Sequence, residues 1–463
     1  MPRCLVLGLD CAPPLLVFDR YRALLPNLTA LMDRGFFGPL RSTAPPITVP
    51  AWVSMTTGRD PGELGLYGFR NRVPRSYAMK TATSRDVAAK RVWDLVGESG
   101  RRVAALFVPL TSPPTPLRGS MVSCFLSPGG NAPWTFPPAL ANELRERFGE
   151  YEPDVPDFRT DDLARVEADL FRTTAQHFDI AAHILEKDRP DFAMMVEIGT
   201  DRLHHAFWAQ MDPDHPRHDP TGPFRDIGER YYAFIDQRIG ELLAIAGAET
   251  DVLVVSDHGA RPMLGGFAIN EWLAREGDLV LRSSPSEPTT LEEAGIDWAR
   301  TRAVGDGGYY ARIFLNVEGR DPDGVVPESR YEEEREHLAL RLSALTMPDG
   351  KKLAVRVDRP EAVYRRVRGR APDLLVYFGD LDHRSVGTVG HGRVFLESNN
   401  RGPDACNHDW EGIVIGAGPS IARRGRVEGA SIYDVLPTVL DCLGVARPAD
   451  ILGTSLITRS PRV

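Results

Sequence analysis

Three short apolar segments, each followed closely by an aspartate, constrain the fold of this chain most. They are residues 5–9 before Asp10, residues 191–198 before Asp201, and residues 251–256 before Asp257. Short apolar runs bounded by glycine or polar residues are typical of strands that are buried on both faces of a parallel sheet. The carboxyl ends of such strands lie at one edge, where open α/β sheets carry their sites.

Segments with the features of helices lie between these strands. Helices are predicted at residues 26–34, 92–98, 161–187, 224–246 and 432–443, and further strands at residues 102–108, 373–378 and 411–415. Parallel strands need crossover connections, which are usually helical. The alternation therefore predicts an α/β fold with a doubly wound, mostly parallel central sheet flanked by helices.

The chain has 463 residues, which is long enough for one large α/β domain with insertions. Residues 109–156 are rich in Pro, Gly and Ser, and we expect them to form a long surface loop near the site. Residues from about 261 to 372 differ in pattern and are predicted to form an inserted subdomain. We therefore expect a single catalytic domain over residues 1–463 with these two excursions.

Residues 42–58, STAPPITVPAWVSMTTG, place a hydroxyl at the start of a predicted buried helix. The prolines favour an extended approach, and Thr48 stands just ahead of Pro50, where an N-cap is expected. A hydroxyl there lies at the positive end of the helix dipole, where an anion is stabilised. Taken alone, the threonine is better explained as a helix cap.

Aspartates and histidines recur at the predicted strand ends and again near residue 408. The candidate ligands are Asp10, Asp201, His205, Asp257, His258 and His408. Each has an ordinary structural explanation by itself, as a cap, a pair on one helical face, a solvated turn or a structural histidine. Together they offer three carboxylates and three imidazoles, which suit zinc or manganese. With Thr48 they suffice for two metal ions, an arrangement that serves phosphoryl displacement with an activated hydroxyl nucleophile.

The net charge is −9, which does not suggest binding to nucleic acid or to an anionic membrane. The five cysteines are widely spaced without a CxxC pair, so we expect buried thiols in a reducing compartment. The N-terminal apolar run is too short for a signal peptide, and no segment predicts a membrane span. We expect a cytoplasmic protein that acts on a small molecule; the sequence leaves its oligomeric state open.

Eight motifs extend the pattern over nearly the whole chain. They are LGLDCAPP at 7–14, ITVPAWVSMTTGRDPGELGLYGF at 47–69, EIGTDRLHHAFW at 197–208, VVSDHGA at 254–260, GGYYARIFLNVEGRDPDGVV at 307–326, APDLLVYFG at 371–379, NHDWEGIVIGAGP at 407–419 and DVLPTVLDCLGV at 434–445. In these motifs and their order the chain resembles the alkaline phosphatase superfamily. Within it, the chain is most similar to the type I phosphodiesterase/nucleotide pyrophosphatase family, including its phosphohydrolase/phosphomutase-like branch.

The resemblance implies a metal-dependent hydrolase of phosphoric ester or phosphoanhydride bonds with two divalent ions, zinc first and manganese as the alternative. It implies one metal site at Asp201, His205 and His408 and a second at Asp10, Asp257, His258 and the Thr48 oxygen. Thr48 would form a phosphothreonine intermediate, and the metal of the first site would activate water. His204 falls outside the ligand pattern. Ala51 stands where nucleotide pyrophosphatases carry an asparagine that contacts a phosphate oxygen.

The substrate is less constrained than the reaction. Polar residues that could face a substrate are Tyr67, Arg59, Arg70, Arg72, His383 and His391, each also explained as a surface residue. A phosphodiesterase or nucleotide pyrophosphatase is expected, with a phosphomonoesterase, phosphomutase or phosphonate hydrolase as the alternatives. The sulfatase signature C/S-x-P-x-R is missing at residues 48–50, which disfavours a sulfatase. A non-catalytic scaffold protein of the same fold would be expected to have lost at least one metal ligand, and none is lost here.

Overall fold

The computed structural model describes residues 3–397 and 402–457. In chain order the strands are β1 Cys4–Leu9, β2 Phe36–Arg41, β3 Arg70–Arg72, β4 Met79–Thr81, β5 Val103–Leu106, β6 Gly119–Val122, β7 Thr135–Phe136, β8 Phe192–Glu197, β9 Asp251–Val255, β10 Gly259–Pro262, β11 Gly265–Ala268, β12 Ala303–Asp306, β13 Ala311–Leu315, β14 Val355–Asp358, β15 Leu374–Phe378, β16 His383–Val386, β17 Phe395–Leu396, β18 Cys406–Asp409, β19 Glu411–Ala417, β20 Gly425–Arg426 and β21 Ala430–Ser431. The α-helices are α1 Pro26–Arg34, α2 Thr48–Thr57, α3 Pro61–Leu64, α4 Val92–Glu98, α5 Leu140–Phe148, α6 Leu163–Asp188, α7 Gly199–Met211, α8 Ile227–Ala246, α9 Ile269–Arg275, α10 Leu291–Ala294, α11 Tyr331–Ser343, α12 Pro360–Val363 and α13 Val435–Leu443.

The chain forms two compact units. The first comprises the chain up to Leu64, Ala82–Ala260 and the chain from Asp409 onward; the second comprises Gly65–Thr81 and Arg261–His408. The second unit is therefore larger than the insertion expected at about 261–372. It continues to His408 and also takes in a β3–β4 hairpin from much earlier in the sequence.

The first unit is built on a ten-stranded sheet with the order β20-β2-β19-β9-β1-β8-β5-β6-β7, and β21 also pairs with β2. Its centre, from β9 to β6, is parallel, whereas β19 is antiparallel to both β9 and β2. On β1, Cys4 and Val6 belong to the core that α2, α4 and α13 cover, while Leu5 and Leu7 are buried on the opposite face. The predicted α/β class with a mostly parallel central sheet is confirmed.

The expected loop at residues 109–156 contains regular structure, so that part of the prediction is wrong. Strand β6 pairs in parallel with β5, β7 pairs with β6, and helix α5 follows. Strand β6 has only four residues and follows a proline-rich stretch, so it has no independent sequence signal. Its strand conformation depends on hydrogen bonds to β5, which local patterns do not reveal.

The second unit contains a seven-stranded, mostly antiparallel sheet with the order β12-β13-β15-β16-β11-β17, and β14 pairs with β15. Strand β15 was expected to return to the main sheet but lies in this one, between β13 and β16. Helix α9 and the apolar strand faces form its own core, centred on Phe267, Ile313 and Phe378. An apolar run predicts a buried strand without saying which sheet it joins.

Candidate active site

Strands β9, β1 and β8 are neighbours and run in parallel, so the three predicted ligand segments meet at one edge of the first unit's sheet. The Asp10 amide donates to the Glu197 carbonyl oxygen at 3.0 Å, which extends the β1–β8 pairing to the ligand itself. Asp257 and His258 follow β9 after a single residue, and Asp201 lies in the first turn of α7. All four side chains are buried.

Asp10, Asp257 and His258 form a compact cluster whose potential ligand atoms all lie within 4.8 Å of one another. His258 Nε2 is 3.1 Å from Asp257 Oδ2 and 3.7 Å from Asp10 Oδ1. His258 Nδ1 lies 3.0 Å from the Gly259 carbonyl oxygen, and donation from Nδ1 leaves Nε2 with the lone pair that a metal needs. The three side chains therefore present two carboxylates and one imidazole toward a common point.

Burial and mutual repulsion make this cluster costly without a cation. Burial, followed by the charge of Asp201, raises the pKa of Asp10 well above its ordinary value. Burial and then the Asp10 charge do the same to the pKa of Asp257. Burial lowers the pKa of His258 to about 4, so this imidazole is neutral at pH 7. Buried carboxylates beside a neutral imidazole are the donor set of a divalent metal, so the residues fit the metal that the sequence implies.

Thr48 lies beside this cluster, with its Oγ1 3.3 Å from His258 Nε2. Thr48 is the first residue of α2, and the N-cap is Ile47, which has an extended conformation. The sequence predicted Thr48 as the N-cap, so that prediction is wrong by one position. Pro50 sits in the first turn, where its missing amide costs no intrahelical hydrogen bond. The Thr48 hydroxyl thus lies at the helix start, within hydrogen-bond distance of His258.

Asp201 and His205 lie one turn apart on α7, with His205 Nε2 3.3 Å from Asp201 Oδ1. His204 points elsewhere: its Nε2 is 3.1 Å from the Tyr232 hydroxyl, and burial lowers its pKa to about 3. That contact gives His204 a structural role, in line with its place outside the ligand pattern. The α7 pair therefore offers one carboxylate and one imidazole.

His408 lies on β18 and is the last residue of the second unit. Its ring is buried and stacks on Tyr309, with the ring centroids 3.8 Å apart. The preceding residue, Asn407, donates from Nδ2 to the Leu381 carbonyl oxygen at 2.6 Å, which fixes the backbone at this point. The assignment of His408 to the Asp201 and His205 set stays a prediction.

Two side chains that the sequence did not single out hold these ligands. Trp52 Nε1 donates to Asp10 Oδ2 at 2.7 Å. Arg202 contacts the Asp201 carboxylate, and its Nε and Nη2 donate to Asp154 at 2.6 and 2.7 Å. The Trp52–Asp10 and Arg202–Asp154 contacts join segments far apart in the chain, so no spacing rule could have found them. An arginine directly after a predicted ligand was the one available signal.

The polar residues considered for contact with a substrate belong to different units. Arg70 and Arg72 line a cavity in the second unit. In the first unit, Arg59 makes ion pairs with Glu63 and Asp450. The remaining three belong to the second unit. The Tyr67 hydroxyl donates to the Arg368 carbonyl oxygen, His391 hydrogen-bonds to Thr388, and His383 is buried on β16.

The family model for type I phosphodiesterase / nucleotide pyrophosphatase matches residues 4–404. The chain belongs to this family. Family membership makes the protein an enzyme that hydrolyses phosphoester or pyrophosphate bonds, as predicted. No curated protein sequence matches this chain significantly.

Solved structures of this family's fold extend over almost the full length of the chain. Phosphonoacetate hydrolase from Sinorhizobium meliloti, in complex with phosphonoacetate, is 16% identical with a TM-score of 0.61, covering 96% of each chain. Human ectonucleotide pyrophosphatase/phosphodiesterase 5 is 13% identical with a TM-score of 0.56, covering 98% of this chain and 97% of its own. The murine form, an inactive variant in complex with AMP, is also 13% identical, with a TM-score of 0.55. At such identities the likeness establishes the fold, and the alkaline-phosphatase-like architecture expected from the sequence is confirmed.

Five cysteines are buried thiols. Among the residues that the structure describes, no helix combines the length and apolarity needed to cross a bilayer.

Proposed function

We propose that this chain is a two-metal phosphodiesterase or nucleotide pyrophosphatase that acts through a covalent phosphothreonine at Thr48. The observation that carries the proposal is the position of the Thr48 hydroxyl, 3.3 Å from His258 Nε2 and beside the buried Asp10–Asp257 carboxylate pair. One metal would be held by Asp10, Asp257, His258 and Thr48, and the other by Asp201, His205 and His408. When bound, two zinc or manganese ions would supply the positive charge that favours an ionised hydroxyl and a negatively charged phosphorus centre.

The chain's own residues would divide the work as follows. Thr48 Oγ1 attacks phosphorus, the bond to the leaving alcohol or phosphate breaks, and a Thr48–O–P bond forms. Water then cleaves that bond and regenerates the hydroxyl with release of a phosphate monoester. Asp10, Asp257 and His258 hold the region around Thr48 in place, and burial excludes bulk water from it.

Ala51 cannot act as the asparagine does in nucleotide pyrophosphatases, and its amide donates to the Ile47 carbonyl oxygen at 2.9 Å. Pro50 has no amide hydrogen. In the first turn of α2 this leaves the amides of Thr48 and Val49 as candidates to bind an oxygen of the phosphoryl group. A nucleotide preference is thus a weaker expectation than phosphodiester hydrolysis itself.

Phosphonate hydrolysis is the second candidate. It is favoured by the structural likeness to phosphonoacetate hydrolase, which has a higher TM-score than the two ectonucleotide pyrophosphatase structures. The same Thr48 attack on phosphorus would then break a P–C bond, and the carbon leaving group would need a proton. We expect a small-molecule substrate and a cytoplasmic location for either reaction.

Turnover of paired chromogenic substrates on the metal-loaded enzyme tests the proposal. Bis-p-nitrophenyl phosphate and thymidine-monophosphate p-nitrophenyl ester should be preferred over p-nitrophenyl phosphate. Preference for the monoester would favour a phosphatase or mutase, and phosphonoacetate cleavage without diester turnover would favour the second candidate.

The covalent step is tested by Thr48→Ala, which should abolish turnover while metal content stays near that of the native protein. Thr57→Ala is the matched control, because Thr57 is a buried threonine of the same helix whose hydroxyl donates to the Val53 carbonyl oxygen at 2.7 Å. Full activity of Thr48→Ala would exclude the phosphothreonine. His408→Ala should lose one metal per chain, and unchanged stoichiometry would exclude its assignment.

A further inference from the structure

The second unit contains a cavity of about 800 Å³. Its lining comes from residues 70–79, 282–298, 304–308, 314 and 384–388, all within that unit. A volume of this size is in the range of small-molecule binding sites. The reaction proposed at Thr48 makes no use of it.

Positive charge dominates the cavity lining. Four arginines, Arg70, Arg72, Arg282 and Arg384, face two acids, Asp306 and Glu292. Arg384 pairs with Asp404 at 3.1 Å and Arg70 with Asp306 at 3.5 Å. In the described part of the chain, Arg282 has no carboxylate within ion-pair distance, so its guanidinium can bind an anion in the cavity.

Arg72 adds a buried cation to this wall. Its side chain is 3% exposed and lies 3.6 Å from Asp321 Oδ1. Nη2, the atom that faces Asp321, makes no hydrogen bond within residues 3–397 and 402–457. Burial, followed by the charge of Arg370, lowers the pKa of Arg72 to about 10, so it remains charged at neutral pH. This ion pair lacks a hydrogen bond, so the buried guanidinium can be stabilised further by an anion that accepts from it.

The other walls are flat or lack side chains. Tyr77 and Trp298 stack with their ring centroids 3.5 Å apart and their planes 1° apart. Glycines form another part of the lining. A Cβ on Gly307 would lie 2.4 Å from the Gly387 amide nitrogen, so this close approach requires glycine at position 307. The Ser385 hydroxyl on this wall is buried and has no hydrogen-bond partner among the described residues.

We propose that this cavity binds a small organic anion that carries a planar ring. Its phosphoryl or carboxylate oxygens would contact the arginines, which recognise both groups by paired N–H donors, and its planar ring would lie against the Tyr77–Trp298 pair. The site belongs to the second unit alone. Its existence does not depend on the assignment of Thr48 as nucleophile.

Calorimetric titration of the full-length protein tests this inference with three probes that share a phenyl ring: phenylphosphonate, benzoate and the neutral benzamide. We expect at least one of the two anions to bind, and benzamide not to bind. Binding should persist after the metals are removed with a chelator, which distinguishes this cavity from the Thr48 site. The stronger of the two anions identifies the oxygen group that the arginines prefer.

Variants of the lining arginines test whether the anion binds in this cavity. Arg282→Gln should weaken anion binding by about tenfold, as expected for a lost charged hydrogen bond. Arg70→Gln is a second variant at a half-exposed position and should weaken it in the same direction. Arg300→Gln is the matched control, because Arg300 is an exposed arginine of the same unit outside the cavity lining. The inference is overturned if neither anion binds, if binding disappears with the metals, or if Arg300→Gln weakens it equally.

Discussion

The indole nitrogen of Trp52 donates a hydrogen bond to Asp10 Oδ2 at 2.7 Å. Trp52 lies one turn beyond Thr48 on α2, and Asp10 lies at the end of β1. The helix that carries the proposed nucleophile therefore also orients a carboxylate of the adjacent cluster. Partners of this kind fix the orientation of metal ligands, and their loss typically reduces metal affinity 10- to 100-fold.

Replacing Trp52 by Phe should weaken metal binding at the Asp10 cluster by about tenfold, because the ring packing is retained while the hydrogen bond is lost. Metal affinity is measured by competition with a chromogenic chelator. Trp93→Phe is the control: Trp93 is buried in the same core, and in the described part of the chain its Nε1 has no hydrogen-bond partner. An equal loss of affinity in both variants would contradict the proposed role of the hydrogen bond.

Gly8→Ala should disturb the same contact from the strand side. A Cβ on Gly8 would lie 2.5 Å from Trp52 Cη2 and 2.8 Å from Val196 Cγ2, so the indole would have to move. We expect a loss of about 1–3 kcal/mol in the free energy of unfolding, measured in urea, together with lower activity. Gly97→Ala on α4 is the control, since its nearest neighbour would lie at 3.6 Å. Comparable destabilisation at Gly97 would argue against the steric explanation.

Much of this site was predictable because its signals are local. An apolar run that ends in Asp10 or Asp257 indicates both a buried parallel strand and the edge at which the polar residue lies. Helices α1 and α4 were predicted with the bounds that the structure has, since each shows a complete apolar stripe. The remaining ligand assignments came from the motifs, which occur in the same order as in the family.

The missed features depend on contacts between distant segments. Strand β6 is four residues long and owes its conformation to pairing with β5, while β15 joins a different sheet from the one expected. The bond between Trp52 and Asp10 spans 42 positions, and that between Asp154 and Arg202 spans 48. Such contacts are consequences of the assembled fold and leave no periodicity in the sequence.

Asp154→Asn should impair metal binding by the two predicted ligands on α7, Asp201 and His205. Asp154 holds Arg202 through two hydrogen bonds, and Arg202 in turn contacts the Asp201 carboxylate. Loss of the charge should leave Arg202 less well positioned, so we expect a several-fold drop in kcat and in affinity for one metal per chain. Asp157→Asn, an exposed change in the same segment, should have no effect. Unchanged kinetics in Asp154→Asn would show that Arg202 is held adequately by its other contacts.

Metal removal should destabilise the first unit, because Asp10, Asp201 and Asp257 bring three buried carboxylates together. A ligand that binds only the folded state adds about 2.7 kcal/mol when its free concentration is 100 times Kd. Chelation should therefore lower the Tm, as measured by calorimetry.

Asp257→Asn is the variant that tests the charge argument. It should be less stable than the native protein with metals present, yet at least as stable without them, because one buried charge is removed. A chelator-induced change in Tm that is as large in this variant as in the native protein would contradict the role of Asp257.

A buried histidine away from the ligands predicts a pH dependence of stability. His177 Nδ1 lies 3.1 Å from Glu197 Oε2, and its Nε2 lies 2.9 Å from the Glu152 carbonyl oxygen. Burial alone would lower the pKa of His177, but the Glu197 charge and these two acceptors raise it above its ordinary value of about 6.5. The protonated imidazole therefore stabilises the folded state below the pKa of the unfolded chain, and this stabilisation is lost as pH rises through the higher folded pKa.

His177→Gln removes the titrating group, so the difference in urea unfolding free energy between the native protein and this variant should be largest at acidic pH and shrink above neutrality. A difference that stays constant from pH 5 to pH 9 would show that His177 is not protonated in the fold.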